Sequence, residues 1–253
     1  MPPKKHSLIQ KQHRRPLDLP PVFRPVRLRE AGDAFAYACG NAITLGAGTL
    51  VFVGRFGIAD FAVILEPEEP LRLACRTLYA GMAALCDALA ALAPPEKPIV
   101  IEWPDAVMID RGLAGGGRLG WPEGCSENAS PDWLVFGVSI RTAFVRATET
   151  GRHPHATALE EEGFSEASPE RVAEGFARHF MLAIDRWQEV GFEALTKEFL
   201  PRLRSGNAEQ HLSLSASGDL NIRRADGIIE TRNLLSALKA PSWLDAATGE
   251  PRL

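Results

Sequence analysis

Ile101–Leu119 reads IEWPDAVMIDRGLAGGGRL, and the fold follows from it. Its first residues end the run Ile99–Trp103, a strand apolar on nearly both faces. Such a strand sits inside a sheet that helices cover. Pro104 turns the chain out of that strand, because the residue before a proline is held extended. Val107–Ile109 and Leu113–Leu119 then pair as a hairpin around Asp110-Arg111-Gly112, with Gly112 supplying the left-handed conformation of the turn. Gly115, Gly116 and Gly117 strip the returning strand of side chains, at a cost in backbone entropy. Something must come very close there: a ligand, an acceptor peptide or a neighbouring helix. No strand–GxxxxGK–helix context surrounds the run, so it is not a P-loop.

Outward from the hairpin, the pattern alternates between strands and helices. Val22–Arg27 follows the Pro20-Pro21 break as a first strand, and Arg29–Leu45 has helical spacing up to Gly46 and Gly48. Leu50–Val53 and Phe61–Leu65 are strands flanking Gly54–Asp60. Leu71–Leu92 reads as one long helix with Leu71, Leu78, Met82, Leu85 and Leu89 on a stripe. Trp133–Thr142 is a further strand. Pro169–Val190 is an amphipathic helix with Ser168 as N-cap, and Phe192–Leu203 a shorter helix after it. Beyond residue 210 short alternations predict strands at His211–Ser215, Leu220–Arg223 and Ile228–Arg232. So small a unit packs on the main domain rather than standing alone. The expected organisation is a leader at 1–20, a main domain at 21–205 and a small β domain at 210–253.

Composition narrows the function classes. The chain has 253 residues, 45% hydrophobic and 24% charged, with a net charge of -4. No global positive field argues for nucleic acid. The leader carries Lys4, Lys5, Lys11, Arg14 and Arg15 but no apolar core of a secretory signal; it reads as a flexible solubilising segment. No apolar run looks long and charge-free enough to span a bilayer. Cys39, Cys75, Cys86 and Cys125 lack metal-ligand spacing, and the expected setting is reducing and cytoplasmic. His153 and His155 form an H-P-H pair without a convincing third ligand, and no metal site is expected.

Four landmarks in order resemble the biotin/lipoate–protein ligase family: the strand, Trp103-Pro104 corner and hairpin with Ala114-Gly115; FGVSIR at Phe136–Arg141; ATALEEEG at Ala156–Gly163; and the helix 169–190. The resemblance covers roughly residues 22–203. It implies an α/β fold of the class II synthetase-like biotin/lipoate ligase type, a mixed sheet covered by helices, plus the small C-terminal β domain. It also implies two-step chemistry: ATP, with Mg2+, activates biotin, lipoate, octanoate or another small carboxylic acid, which then passes to a lysine of a biotinyl or lipoyl acceptor domain.

The residues depart from the family where that chemistry is done. The family's WPND is Trp103-Pro104-Asp105-Ala106 here, its turn lysine falls at Gly112, and the Asn of its GxGIN strand at Arg141. The Gly/Arg-rich adenylate loop shrinks to Val53–Gly57, with Arg55 its one cation. Joining two anions needs cations aimed at the transition state. Arg55, Arg111 and Arg118 are the candidates for that catalytic work. Trp103, Pro104, Asp105, Gly115, Gly116, Gly117 and Arg141 are the candidate ligand-binding residues. Ordinary biotin–protein ligase activity is doubtful on this reading. The alternatives are a non-catalytic small-acid or carrier-protein binding module, and an ATP-independent acyltransferase needing a nucleophile such as Cys125.

Overall fold

The computed structural model describes residues 15–144, 155–204 and 210–253. The leader up to Arg14 and His153 lie outside them.

Seven strands form one mixed sheet: β1 (Arg24–Leu28), β2 (Thr49–Val53), β3 (Ile58–Leu65), β4 (Ile99–Glu102), β5 (Ala106–Ile109), β6 (Gly112–Gly120) and β7 (Leu134–Arg141). The order across the sheet is β1-β2-β3-β7-β6-β5-β4. β1 pairs with β2 in parallel; every other neighbour is antiparallel.

Alternation along the strands feeds two cores. Leu50, Phe52, Phe61, Val63 and Phe136 point to the larger one. Val51, Val53, Ala62, Ile64 and Val135 point to the smaller one. Both faces are therefore apolar, as strands covered on both sides must be.

Helix α1 (Ala34–Leu45) covers the second face with Ala34, Ala38 and Ala42. It packs on β2, β3 and β7. The helix starts five residues later than its periodicity predicts. Asp33 is its N-cap, and the carboxylate accepts from Ala36 N at 2.9 Å, satisfying a donor of the first turn.

The predicted helix 71–92 is two helices, α2 (Leu71–Ala74) and α3 (Thr77–Ala90). Arg76 sits at the break. Its Nε donates to Leu73 O and its Nη atoms bind Glu69 and Ala216 O, ties that anchor the junction. By length and composition Leu71–Ala90 would suffice to cross a membrane, contrary to the sequence expectation. Here it is 83% buried inside the protein, because its stripe and its alanines face the larger core. Gly81 lets it touch the sheet: a Cβ there would lie 2.3 Å from the Phe136 ring.

α4 (Pro169–Val190) crosses the same face, capped by Ser168, whose hydroxyl accepts from Arg171 N. Phe176 stacks on Phe136 with ring centroids 5.6 Å apart. α5 (Phe192–Phe199) follows, and Leu200–Arg202 tightens into a 3-10 turn.

Strands β8 (His211–Leu214), β9 (Leu220–Arg223) and β10 (Ile229–Arg232) form a separate antiparallel sheet, followed by α6 (Leu234–Leu238). Leu220, Ile222, Leu234, Leu235 and Leu238 join the larger core, so this sheet packs on the main domain. α6 was not anticipated. Its signal is Asn233, whose side chain caps Ser236 N.

Candidate functional site

The sheet register builds one row of positions. Val53 pairs with Asp60, Asp60 with Ser139, Ser139 with Gly116 and Gly116 with Ala106. Residues in cross-strand register share a face. α1 covers β2, β3 and β7 on that face; over Gly116 of β6 lies Trp243 of the C-terminal segment.

The three glycines have three separate reasons. Gly115 has φ +146° beside the bulge at Val107/Met108, and a Cβ there would lie 2.0 Å from Ser139 O. A Cβ on Gly117 would strike Met82 Sδ at 2.7 Å on the helical face. A Cβ on Gly116 would lie 2.2 Å from Asp105 O and 2.5 Å from Trp243 Nε1. Gly116 is thus bare because an indole lies over it. Trp243 is 1% exposed, and its Nε1 donates to Gly117 O at 3.0 Å.

The Trp103-Pro104-Asp105 corner joins β4 to β5 through a cis Trp103-Pro104 bond. Trp103 Nε1 donates to the Tyr79 hydroxyl at 3.2 Å, which donates to Gly218 O at 2.5 Å. The corner is thereby tied to α3 and to the small sheet. Burial pushes the Tyr79 hydroxyl up and out of the ordinary phenol range. Pro104 is buried. Asp105 is 0% exposed, and neither carboxylate oxygen has a hydrogen-bond partner. Its backbone oxygen accepts from Gly117 N at 2.9 Å. Burial raises the Asp105 carboxyl to about 7.

The candidate cations do not converge. Arg55 binds Asp60 at 2.9 Å and Glu250 at 3.0 Å, while its buried Nε is unpartnered. Burial raises the Asp60 carboxyl, and Arg55 holds it down in part. Arg118 lies over the Phe35 ring, 4.0 Å from its centroid, and reaches Asp33 at 3.3 Å. Burial lowers its guanidinium, opposed by Asp33 and Asp60. Arg111 is exposed in the turn, five residues along β6 from Gly116, or roughly 16 Å at strand rise. Arg141 is 5% exposed and donates to four carbonyls: Leu113 O at 3.4 Å, Thr157 O at 3.1 Å, Pro251 O at 2.7 Å and Arg252 O at 3.1 Å. It knits three chain segments together at the mouth of the face.

The hairpin turn differs from its prediction in one respect. Asp110 (φ 43°) and Arg111 (φ 73°) carry the left-handed conformations, not Gly112. Gly112 is small for another reason: a Cβ there would lie 2.7 Å from Thr157 Cβ. Segment 155–159 runs beside the start of β6, with Leu113 N donating to His155 O and Thr157 N to Leu113 O. The position that resembles the family's turn lysine is therefore walled by a neighbouring segment.

Four residues that bear on this face were not singled out in the sequence: Asp60, Thr157, Trp243 in its role over Gly116, and Glu250. Asp60 did carry a signal, as the lone charge in an apolar strand. Cys125 Sγ faces the carbonyls of Ser126 and Ala129. Cys39 is pushed up to about 11, and Cys75 and Cys86 to about 12, chiefly by burial, so these are inert thiols. Among the described residues no group of three His, Cys, Asp or Glu side chains could hold a metal. An open groove, about 950 Å³, lies at the other end of β3 between Phe23, Leu65 and α4.

The family model of the biotin/lipoate A/B protein ligase family matches residues 19–201. A search of curated proteins gave no match. Among solved structures, a biotin protein ligase-like protein of unknown function from Silicibacter sp. TM1040 is 26% identical with a TM-score of 0.76. That alignment covers 88% of this chain and 99% of the other. The apo biotin protein ligase of Aquifex aeolicus is 16% identical with a TM-score of 0.65, over 83% and 96% of the two chains. The same Aquifex protein in complex with biotin and ATP gives 16% and 0.62, over 83% and 95%. The two Aquifex likenesses bear on the fold alone.

Proposed function

The chain belongs to the biotin/lipoate A/B protein ligase family, and from that membership we propose that it recognises a small carboxylic acid on the glycine-lined face of β6 without activating biotin in the ordinary way. The observation that carries this reading is the fate of the cations. Leaving the C-terminal segment aside, Arg55 is paired with Asp60, Arg118 with Asp33, and Arg141 donates to the Leu113 and Thr157 carbonyls. Adenylation brings two anions together, and its transition state needs free donors already in place. With Gly112 and Ala106 where the family has its lysine and aspartate, none of the described residues fits the phosphates of ATP with its Mg2+.

A carboxylate asks for less. One guanidinium with an unpartnered donor is enough to fix an anion at a partly buried site. Arg55 has such donors in its unpartnered buried Nε and in Nη1, which the half-exposed Glu250 carboxylate holds here, beside the row Asp60-Ser139-Gly116. Gly116, about 10 Å away and two strand spacings across the sheet, would give room to a flat apolar body in place of the Trp243 indole that covers it here. Biotin, lipoate and octanoate all have a carboxylate joined to an apolar body. A carrier domain bearing such a group is the matching macromolecular partner, and the cytoplasm the matching setting.

Calorimetric titration of the full chain with biotin, lipoate and octanoate, each with and without ATP, tests the reading. The expected result is binding of at least one acid that ATP leaves unchanged. Failure of all three acids to bind would overturn it.

A further inference from the structure

The last residues of the chain lie where that acid would go. Trp243 covers Gly116 and donates to Gly117 O at 3.0 Å. Glu250 sets a carboxylate on Arg55 at 3.0 Å. Pro251 O and Arg252 O take the two donors of Arg141 Nη2, at 2.7 and 3.1 Å. An apolar ring over the glycines and a carboxylate on Arg55 are what a small acid would itself present.

The segment is also built as one piece. Asp245 N donates to Glu250 O at 2.9 Å, Gly249 N to Asp245 O at 2.8 Å, and Arg252 N to Trp243 O at 2.9 Å. Arg252 Nε closes it on Leu244 O at 3.0 Å. Most of its hydrogen bonds stay inside the segment, so it can lift away without unravelling. Its outer turn, Ala246–Thr248, is exposed, and the Glu250 side chain is 44% exposed. Its grip consists of one indole, the buried Pro251, one half-exposed ion pair and two carbonyls on an arginine. An acid's carboxylate can take the place of Glu250 on Arg55, and its apolar body the place of the indole over Gly116.

We propose that residues 243–252 are a displaceable strap that occupies the small-acid face as an internal competitor. The proposal rests on the small-acid reading above and names how that site is regulated. A ligand that binds only the open state has its apparent affinity reduced by the open fraction. Loosening the strap must therefore tighten acid binding.

The test uses the full chain, unaltered and as Glu250→Gln and Trp243→Ala, titrated calorimetrically with octanoate, lipoate and biotin. Hydrogen exchange of the 243–252 amides is followed with and without saturating acid. Glu250 is half-exposed, so its variant does not depend on core packing; thermal melts check both. The ion pair is of the half-exposed kind, so Glu250→Gln should tighten binding about three- to fivefold. Trp243→Ala should tighten it more, and acid should speed exchange of the strap amides in the unaltered chain at least about tenfold. Equal affinity in all three proteins, with strap exchange unchanged by bound acid, would overturn the strap and leave the small-acid reading standing. Absence of acid binding in all three would overturn the small-acid reading, and the strap as its competitor with it.

Discussion

Gly116→Ala puts one methyl group into the most crowded point of the face. The new Cβ would lie 2.2 Å from Asp105 O and 2.5 Å from Trp243 Nε1. Ordinary van der Waals contact begins roughly 1 Å further out. The indole can withdraw, but the Asp105 carbonyl is backbone and is held by Gly117 N at 2.9 Å. Overpacking of this kind costs about 1–3 kcal/mol. Moving the carbonyl forfeits a hydrogen bond of about 1 kcal/mol. Replacing glycine returns about 0.4–1 kcal/mol by stiffening the unfolded chain. The net loss is about 1–3.6 kcal/mol, or a fall in Tm of about 2–14 °C at this chain length. Thermal melting by circular dichroism reads it, with hydrogen exchange at 243–252 reporting whether the strap has been evicted. A melt within about 2 °C of the parent, with the strap still protected, would refute the close approach at Gly116. Gly40→Ala is the internal control: no atom lies within 4 Å of its Cβ, and it sits inside α1. It should stabilise by about 0.5–1 kcal/mol.

Three further outcomes are expected. The Asp105 carboxyl titrates at about 7 when folded because burial disfavours its charge. The folded chain therefore holds a proton that the unfolded chain has released, and stability falls as pH rises from about 4 to about 7, then levels. Asp105→Asn should flatten that slope in urea melts and stabilise the protein above pH 7 by about 2–4 kcal/mol; a parallel pH profile would contradict it. Gly112→Lys with Ala106→Asp should not produce biotin adenylate, because the new lysine's Cβ would start 2.7 Å from Thr157 Cβ; adenylate detected by mass spectrometry would show that segment 155–159 yields. Arg141→Met should strand four carbonyls and cost roughly 2–4 kcal/mol in chemical denaturation; a cost near zero would mean that water serves those carbonyls equally well.

The hairpin shows how much of the fold was legible. Apolar runs, the Trp103-Pro104 corner and a short polar turn are local signals, and the strands fall where they point. The N-caps at Ser168 and Asp33 are local too, but only Ser168 was read as one; Asp33 lay inside a longer helical pattern, so α1 was drawn too early. The break at Cys75-Arg76 was hidden because Arg76 fits a helical pattern; its ties to Glu69 and Ala216 are tertiary.

The site was legible in its residue types and not in its pairings. The glycine run announces a close approach without saying what approaches. Trp243 reaches Gly117 across 126 positions, and Glu250 reaches Arg55 across 195. No periodicity records such partners. Gly112 is instructive in the same way: glycine in a turn suggests backbone freedom, yet its neighbours take the positive φ and its own size serves Thr157.

A face that holds a small acid but lacks the free cations for biotin activation should bind without turnover. Pyrophosphate release from ATP, measured with the full chain over a panel of biotin, lipoate and octanoate, tests it most directly when run beside calorimetric binding of the same acids. An acid should bind while pyrophosphate release stays at the acid-free background. Robust, biotin-dependent turnover by the unaltered protein would contradict it and show that Arg55, Arg111 or Arg118 leaves its place in this structure to do the work of the lysine that Gly112 replaces.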